Sequence, residues 1–244
     1  MPMSHPQSAE LAIKLLTRWA EAAEAFWYAA PDGSGCFGPG YIHWGVQSNF
    51  NYAAAMATLS AQPGVENAAH WRERALAALR FSLASHHTGD RPGLNGQRWG
   101  HSWISMLGIE RAMHGVRHLH PVMTDADHVA LRRVLTSEAD WLLHYGQRGG
   151  HRDINGALWN ESGRNVPESN IWAGALLWRT AALWPDETDA DAWRERAHAY
   201  FINGVSIPAD AEDEHIVAGE PVRERHVGPN FFPHYALDHH GYLN

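Results

Sequence analysis

The densest chemistry in this sequence lies near its C-terminal end. Gly228-Pro229-Asn230-Phe231-Phe232-Pro233-His234-Tyr235-Ala236-Leu237-Asp238-His239-His240-Gly241-Tyr242 brings three histidines, one aspartate and two tyrosines into the nine residues from His234 to Tyr242. Imidazole and phenol groups move protons near neutral pH, and a carboxyl group beside them adds an acid or base. On a helix His234 would share a face with Asp238, and Tyr235 with His239. A second cluster runs Trp159-Asn160-Glu161-Ser162-Gly163-Arg164-Asn165, followed by Pro167-Glu168-Ser169-Asn170-Ile171-Trp172. Glu161 and Glu168 offer acid/base groups, Asn160 a hydrogen-bonding amide, and Arg164 a fork for a substrate carboxylate. Glu168 after Pro167 also fits the ordinary first turn of a helix. A third set pairs His43-Trp44 and Gln47 with Gln97-Arg98-Trp99 and His101. In it Trp44, Trp99 and His101 are cleft candidates, and His43 and Gln47 offer polar contacts. Ser48-Asn49 and Ser169-Asn170 match each other, and a cap or loop-bonding role suits both asparagines. His86-His87 and the run from His114 to His120 read as solvated faces or helix ends.

These groups need a scaffold, and the scaffold is written as a repeat. Pro63, Pro121 and Pro185 each precede by eight residues Trp71, Val129 and Trp193. Thr-Asp-Ala-Asp occurs at 124–127 and 188–191, and Trp-Arg-Glu-Arg-Ala at 71–75 and 193–197. A helix on each side of each proline makes an array of α/α hairpins. The expected helices are 8–29, 46–60 with a partner carrying Trp71, Ala75, Leu79 and Leu83, 97–118 with 124–145, and 168–183 with 188–203. Leu11, Leu15, Trp19, Ala22 and Phe26 mark an apolar stripe on the first. Thr124 with Asp127 has the spacing of a capping box, and Thr188 with Asp191 repeats it. Residues 214–222 suit a small β-hairpin. Trp71, Val129 and Trp193 should occupy equivalent places.

The short connections lie within hairpins and the long ones between them, at 31–45, 86–96, 146–167 and 204–233. That gathers the long loops at one face, where binding and catalysis usually sit. The fold class expected is therefore all-α, a single hairpin domain over residues 1–244 whose pattern resembles an incomplete or truncated α/α toroid. A closed ring of six such hairpins needs about 360 residues, and this chain has 244. A homodimer is one way to supply the missing wall.

The run from Glu161 to Trp172, the Trp193 helix, and Asn230 to Tyr242 with Leu-Asp-His-His-Gly-Tyr together resemble the toroid portion of heparinase II/III-like lyases and related uronate-processing glycosidases. The resemblance implies carbohydrate-active, polysaccharide-degrading chemistry. In the lyases an Asn neutralises the uronate carboxylate while Tyr and His move protons. Asn230, Tyr235, His239 and His240 are the matching residues here.

Composition narrows the partners. A formal charge of −8 argues against nucleic acid, and no stretch reaches the span of a membrane helix. One cysteine excludes an internal disulfide and a cysteine metal cluster. The tail has no matching ligand cluster elsewhere in the sequence, so neither metal nor cofactor is expected. The first residues lack a signal-peptide pattern, which leaves the localisation open and reads as cytoplasmic only for the chain as written. The expected substrate is an oligosaccharide or polysaccharide. Three functions compete: a glycoside hydrolase, a uronate lyase, and a non-catalytic helical scaffold. A hydrolase needs two carboxyls about 5–5.5 Å apart for retention or about 6.5–9.5 Å for inversion. Glu161 and Asp238 are the best pair, with His239 and Tyr235 beside them. The negative charge places hydrolysis ahead of elimination on a polyanionic uronate.

Overall fold

The computed structural model describes residues 5–38, 44–102, 104–145, 167–205 and 208–225. They are mostly helical, with two small two-stranded sheets among the described residues, so the all-α expectation stands. The chain divides into two compact units, Met1–Val134 and Leu135–Asn244.

The first unit begins with α1 (His5–Ala23), which gives way to a 3₁₀ turn and to β1 (Trp27–Ala29). β1 pairs antiparallel with β2 (Gly35–Phe37), Tyr28 opposite Cys36. The first helix thus ends six residues earlier than its apolar pattern suggests. Tertiary contacts favour the extended form: Phe37 stacks on Tyr52 at 5.1 Å, and Arg74 lies 4.5 Å over the Trp27 ring. The hairpin turn uses Gly33 at φ 81°. The apolar stripe of α1 is largely open, with Leu11 43%, Leu15 57% and Trp19 41% exposed, while Ala20 and Ala23 are buried.

α2 (Trp44–Ser60) and α3 (Ala68–Ser85) form the expected hairpin around Pro63 and Gly64. Trp71, Ala75, Leu79 and Leu83 are all buried, as their spacing predicts. α4 (Ser105–Val116) packs along α2. A Cβ on Gly115 would stand 2.4 Å from the Ala54 Cα, so only glycine permits this approach. α4 starts eight residues later than expected. Gly96, Gly100 and His101 all have positive φ, which breaks the helix pattern before Ser105.

α5 (Asp125–Asp140) opens with the capping box read from the sequence. The Thr124 N–H donates to Asp127 Oδ2 at 2.9 Å, and the Asp127 N–H to Thr124 Oγ1 at 3.3 Å. Asp127 also takes both bonds of Arg80 at 2.7 Å. Val129 corrects the three-fold equivalence: it is 67% exposed, whereas Trp71 and Trp193 are 3% and 2%. The inward stripe of α5 runs through Asp127, Leu131, Val134 and Leu135, which turns Val129 outward.

In the second unit a π-helical turn (Trp141–Tyr145) follows α5, and α6 (Pro167–Leu183) packs on α7 (Ala190–Val205). Gly174 lets α6 approach the Phe201 ring and Tyr200. α7 begins at Ala190, so Thr188 lies one residue outside the cap position, and Asp191 pairs instead with Arg194. The expected hairpin at 214–222 forms as β3 (Ile216–Val217) and β4 (Glu220–Pro221), leading into the short α8 (Val222–Arg225).

Candidate active site

The chemistry that the described residues bring together lies at the C-terminal end of α3. His86 ends that helix, one of the two readings its sequence position suggested, and is fully buried, which sets aside the other reading of a solvated face. His87 beside it is exposed. The loop after α3 then returns. The His87 N–H donates to the Trp99 carbonyl at 2.7 Å, and the Trp99 N–H to the Ser85 carbonyl at 3.1 Å. This short bridge holds His86 and Trp99 side by side, ring centroids 4.8 Å apart.

Trp99 is 3% exposed. Its indole N–H donates to the Ser82 carbonyl at 2.8 Å and its ring meets Phe50 edge-on at 5.2 Å. The ring is thus a strut beneath the imidazoles, with little face left for a sugar. His101 follows at φ 49°, a left-handed conformation unusual for a residue with a side chain. That turn sets its half-buried ring 5.7 Å from His86 and 5.5 Å from His87, centroid to centroid. Backbone strain at such a residue is a mark often found at functional sites.

The state of His86 follows from its partners. The Thr88 N–H lies 3.1 Å from His86 Nδ1 and can only donate. Nδ1 therefore accepts, and the neutral ring carries its proton on Nε2. A ring nitrogen of His86 lies within 4.8 Å of one on His101.

The loop is braced from the other side. Arg91 pairs with Asp32 at 2.9 Å, bonds Ser34 Oγ and lies 5.0 Å over Phe81. This joins the β1–β2 hairpin to the loop after α3, so within the first unit two long loops do meet at one end. Arg98 reaches back to the Gly89 carbonyl. Asn49 takes the structural role: it accepts from the Phe37 N–H at 2.9 Å and donates to the Ala78 carbonyl at 2.9 Å and Ser82 Oγ at 2.8 Å. Asn170 likewise spans its own hairpin, donating to the Asn203 carbonyl at 3.2 Å.

Most of the other candidates lie outside the described residues: His43, Asn160, Glu161, Arg164, Asn230, Tyr235, Asp238, His239 and His240. Trp44 and Gln47 stand in the first turn of α2 and Glu168 in the first turn of α6. Of the candidates with described side chains, Trp99 and His101 come together, and the sequence had passed over the two histidines they gather. The only signal for them was the doubled His86-His87 at a helix end, a pattern equally common on solvated surfaces.

Neither a protein-family model, nor a curated protein, nor a solved structure matches the chain. The functional reading therefore rests on its own residues.

No helix among the described residues is long and apolar enough to cross a membrane.

Proposed function

We propose that this chain is a carbohydrate-active domain of the α/α-toroid kind that cleaves uronate-containing oligosaccharides by β-elimination. The carrying observation is the imidazole cluster of His86, His87 and His101 on its Trp99 support, at an end where two loops of the first unit are tied together. The paired packing of α2 with α3 and of α6 with α7, and the lateral packing of α4 on α2, support the toroid. Hydrolysis by Glu161 and Asp238, placed first on sequence grounds, rests on residues outside the described set. The clustered imidazoles favour elimination, whose base and acid work near neutral pH.

In this reaction His101 takes the C5 proton of the uronate. The C5–H electrons form the C4=C5 double bond, the C4–O bond breaks, and His87 gives its proton to the departing oxygen. His86 does not touch substrate. It is buried and positions His101, its tautomer set by Thr88. Arg98, half-buried in the same loop, is the nearest described cation along the chain to offset the uronate carboxylate.

The test follows the absorbance of the unsaturated product on uronate oligosaccharides. The expected result is a rising signal that falls by about 100-fold or more in His101→Ala, with unchanged helical circular dichroism. New reducing ends without the unsaturated chromophore would establish hydrolysis and overturn elimination. No cleavage of any uronate oligosaccharide would overturn the enzymatic reading altogether.

A further inference from the structure

A second cluster of ligating groups lies wholly within the second unit. Asp140 ends α5, His144 sits in the π-helical turn that follows, and Asp189 immediately precedes α7. A carboxylate oxygen from each aspartate and a ring nitrogen of His144 all lie within 4.8 Å of one another. His144 Nε2 is 3.5 Å from Asp189 Oδ2. The ligands come from two segments more than forty residues apart in sequence, so packing alone assembles them.

Two features separate this set from a chance surface pair. Regular α-helical spacing would place His144 one turn beyond Asp140, but the chain runs through a π-helical turn at Trp141–Tyr145, a distortion that recurs at functional sites. Asp140 is oriented from behind, its Oδ1 accepting the buried Trp193 indole N–H at 3.1 Å, the kind of outer bond that fixes a ligating carboxylate.

We propose that Asp140, His144 and Asp189 bind a first-row transition-metal dication, of which Zn²⁺ is the natural probe. One imidazole with two carboxylates suits Zn²⁺ or Mn²⁺ better than Ca²⁺, which takes six to eight oxygens. Ligands around tetrahedral Zn²⁺ stand about 3.3 Å apart at metal–ligand distances of about 2.0–2.2 Å. His144 and Asp189 are half-exposed, 50% and 40%, so a small side-chain rotation closes that distance. A water completes the fourth position. The ion would clamp the end of α5 to the start of α7. The inference is independent of the uronate reaction.

The experiment titrates Zn²⁺ into the full 244-residue chain after chelator treatment, by calorimetry, with melting temperature followed in parallel. The expected result is one ion per chain and a raised melting temperature. His144→Gln, a change at a half-exposed side chain, should weaken binding by at least about tenfold and remove the thermal shift while leaving the metal-free melting temperature unaltered. Asp189→Asn should do the same. Absence of stoichiometric binding would overturn the proposal. So would binding that survives His144→Gln but is lost in His101→Ala, since that would place the ion at the imidazole cluster of the first unit.

Discussion

Trp-Arg-Glu-Arg-Ala is spelled twice in this chain, and the two copies fold alike but attach to different things. Trp71 and Trp193 are both buried near the start of the second helix of a hairpin, with Ala75 and Ala197 one turn on, both fully buried. The polar letters diverge. In the first copy the second arginine, Arg74, holds Glu24 at 2.6–3.1 Å and lies over Trp27, fastening α1 and the β1–β2 hairpin that precede it. In the second copy the glutamate, Glu195, takes both bonds of Arg225 at 2.8 Å. Arg225 also donates to the Val217 carbonyl at 2.5 Å and the Glu220 carbonyl at 3.1 Å, securing the β3–β4 hairpin that follows. Even the indoles differ: Trp71 donates to the Glu66 carbonyl, Trp193 to the Asp140 side chain. The apolar letters define the hairpin, and the polar letters are available for whatever lies next to it.

The comparison breaks most visibly at the tryptophans. Trp193→Ala and Trp71→Ala should each cost about 3–5 kcal/mol, measured by denaturant unfolding. Val129→Ala, at the same distance from its proline, should change stability by less than about 0.5 kcal/mol. Equal losses at all three sites would restore the three-fold repeat.

A smaller effect separates the glutamates. Glu195→Ala leaves the Arg225 guanidinium, 4% exposed, without its carboxylate. Glu195 itself is 55% exposed, so solvent screening reduces the loss to about 1–2 kcal/mol. Glu73→Ala, at the matching letter of the first copy, is exposed and should lie within about 0.5 kcal/mol of the parent. If the two variants unfold alike, the divergent use of the motif is wrong.

The smallest effect is pH-dependent and compares the two Thr-Asp-Ala-Asp copies. Arg80's hydrogen bonds hold Asp127 down to about 2, from an ordinary 3.8, with burial opposing and the Thr124 bonds assisting. A depressed carboxylate stabilises fully above its unfolded value and loses that contribution as pH falls through its folded value. Asp127→Asn should therefore remove about 1 kcal/mol at pH 7 and flatten stability between pH 3.8 and about 2. Asp191→Asn, at the matching position with a side chain 95% exposed, should leave the profile unchanged. An acid profile indifferent to Asp127→Asn would discard the ion pair as a stabiliser.

The sequence made the hairpins legible because their signals are local. The burial of Trp71, Ala75, Leu79 and Leu83 follows from helical periodicity, and the Thr124–Asp127 box from a three-residue spacing. The matched Asn49 and Asn170 also read correctly as structural, since an amide at a buried helix face needs a bond across it. The candidate site was far less legible. Trp99 and His101 were picked out; His86 was read as a solvated face or a helix end, and it does end α3, but nothing local says that the loop after α3 folds back over it. Glu161, Asp238 and the tail histidines lie outside the described residues.

What the sequence determined alone is the helical character of the chain, the turns at its prolines and the apolar stripes of α3, because each depends on neighbours within a turn or two. Tertiary structure decided the rest. It ended α1 early, by giving Trp27 and Phe37 the partners Arg74 and Tyr52. It turned Val129 to solvent through the rotation of α5. It gathered His86, His87 and His101 around Trp99, and Asp140, His144 and Asp189 into one cluster. Each of these outcomes depends on residues far apart in the chain, whose contact energies exist only once the helices have packed.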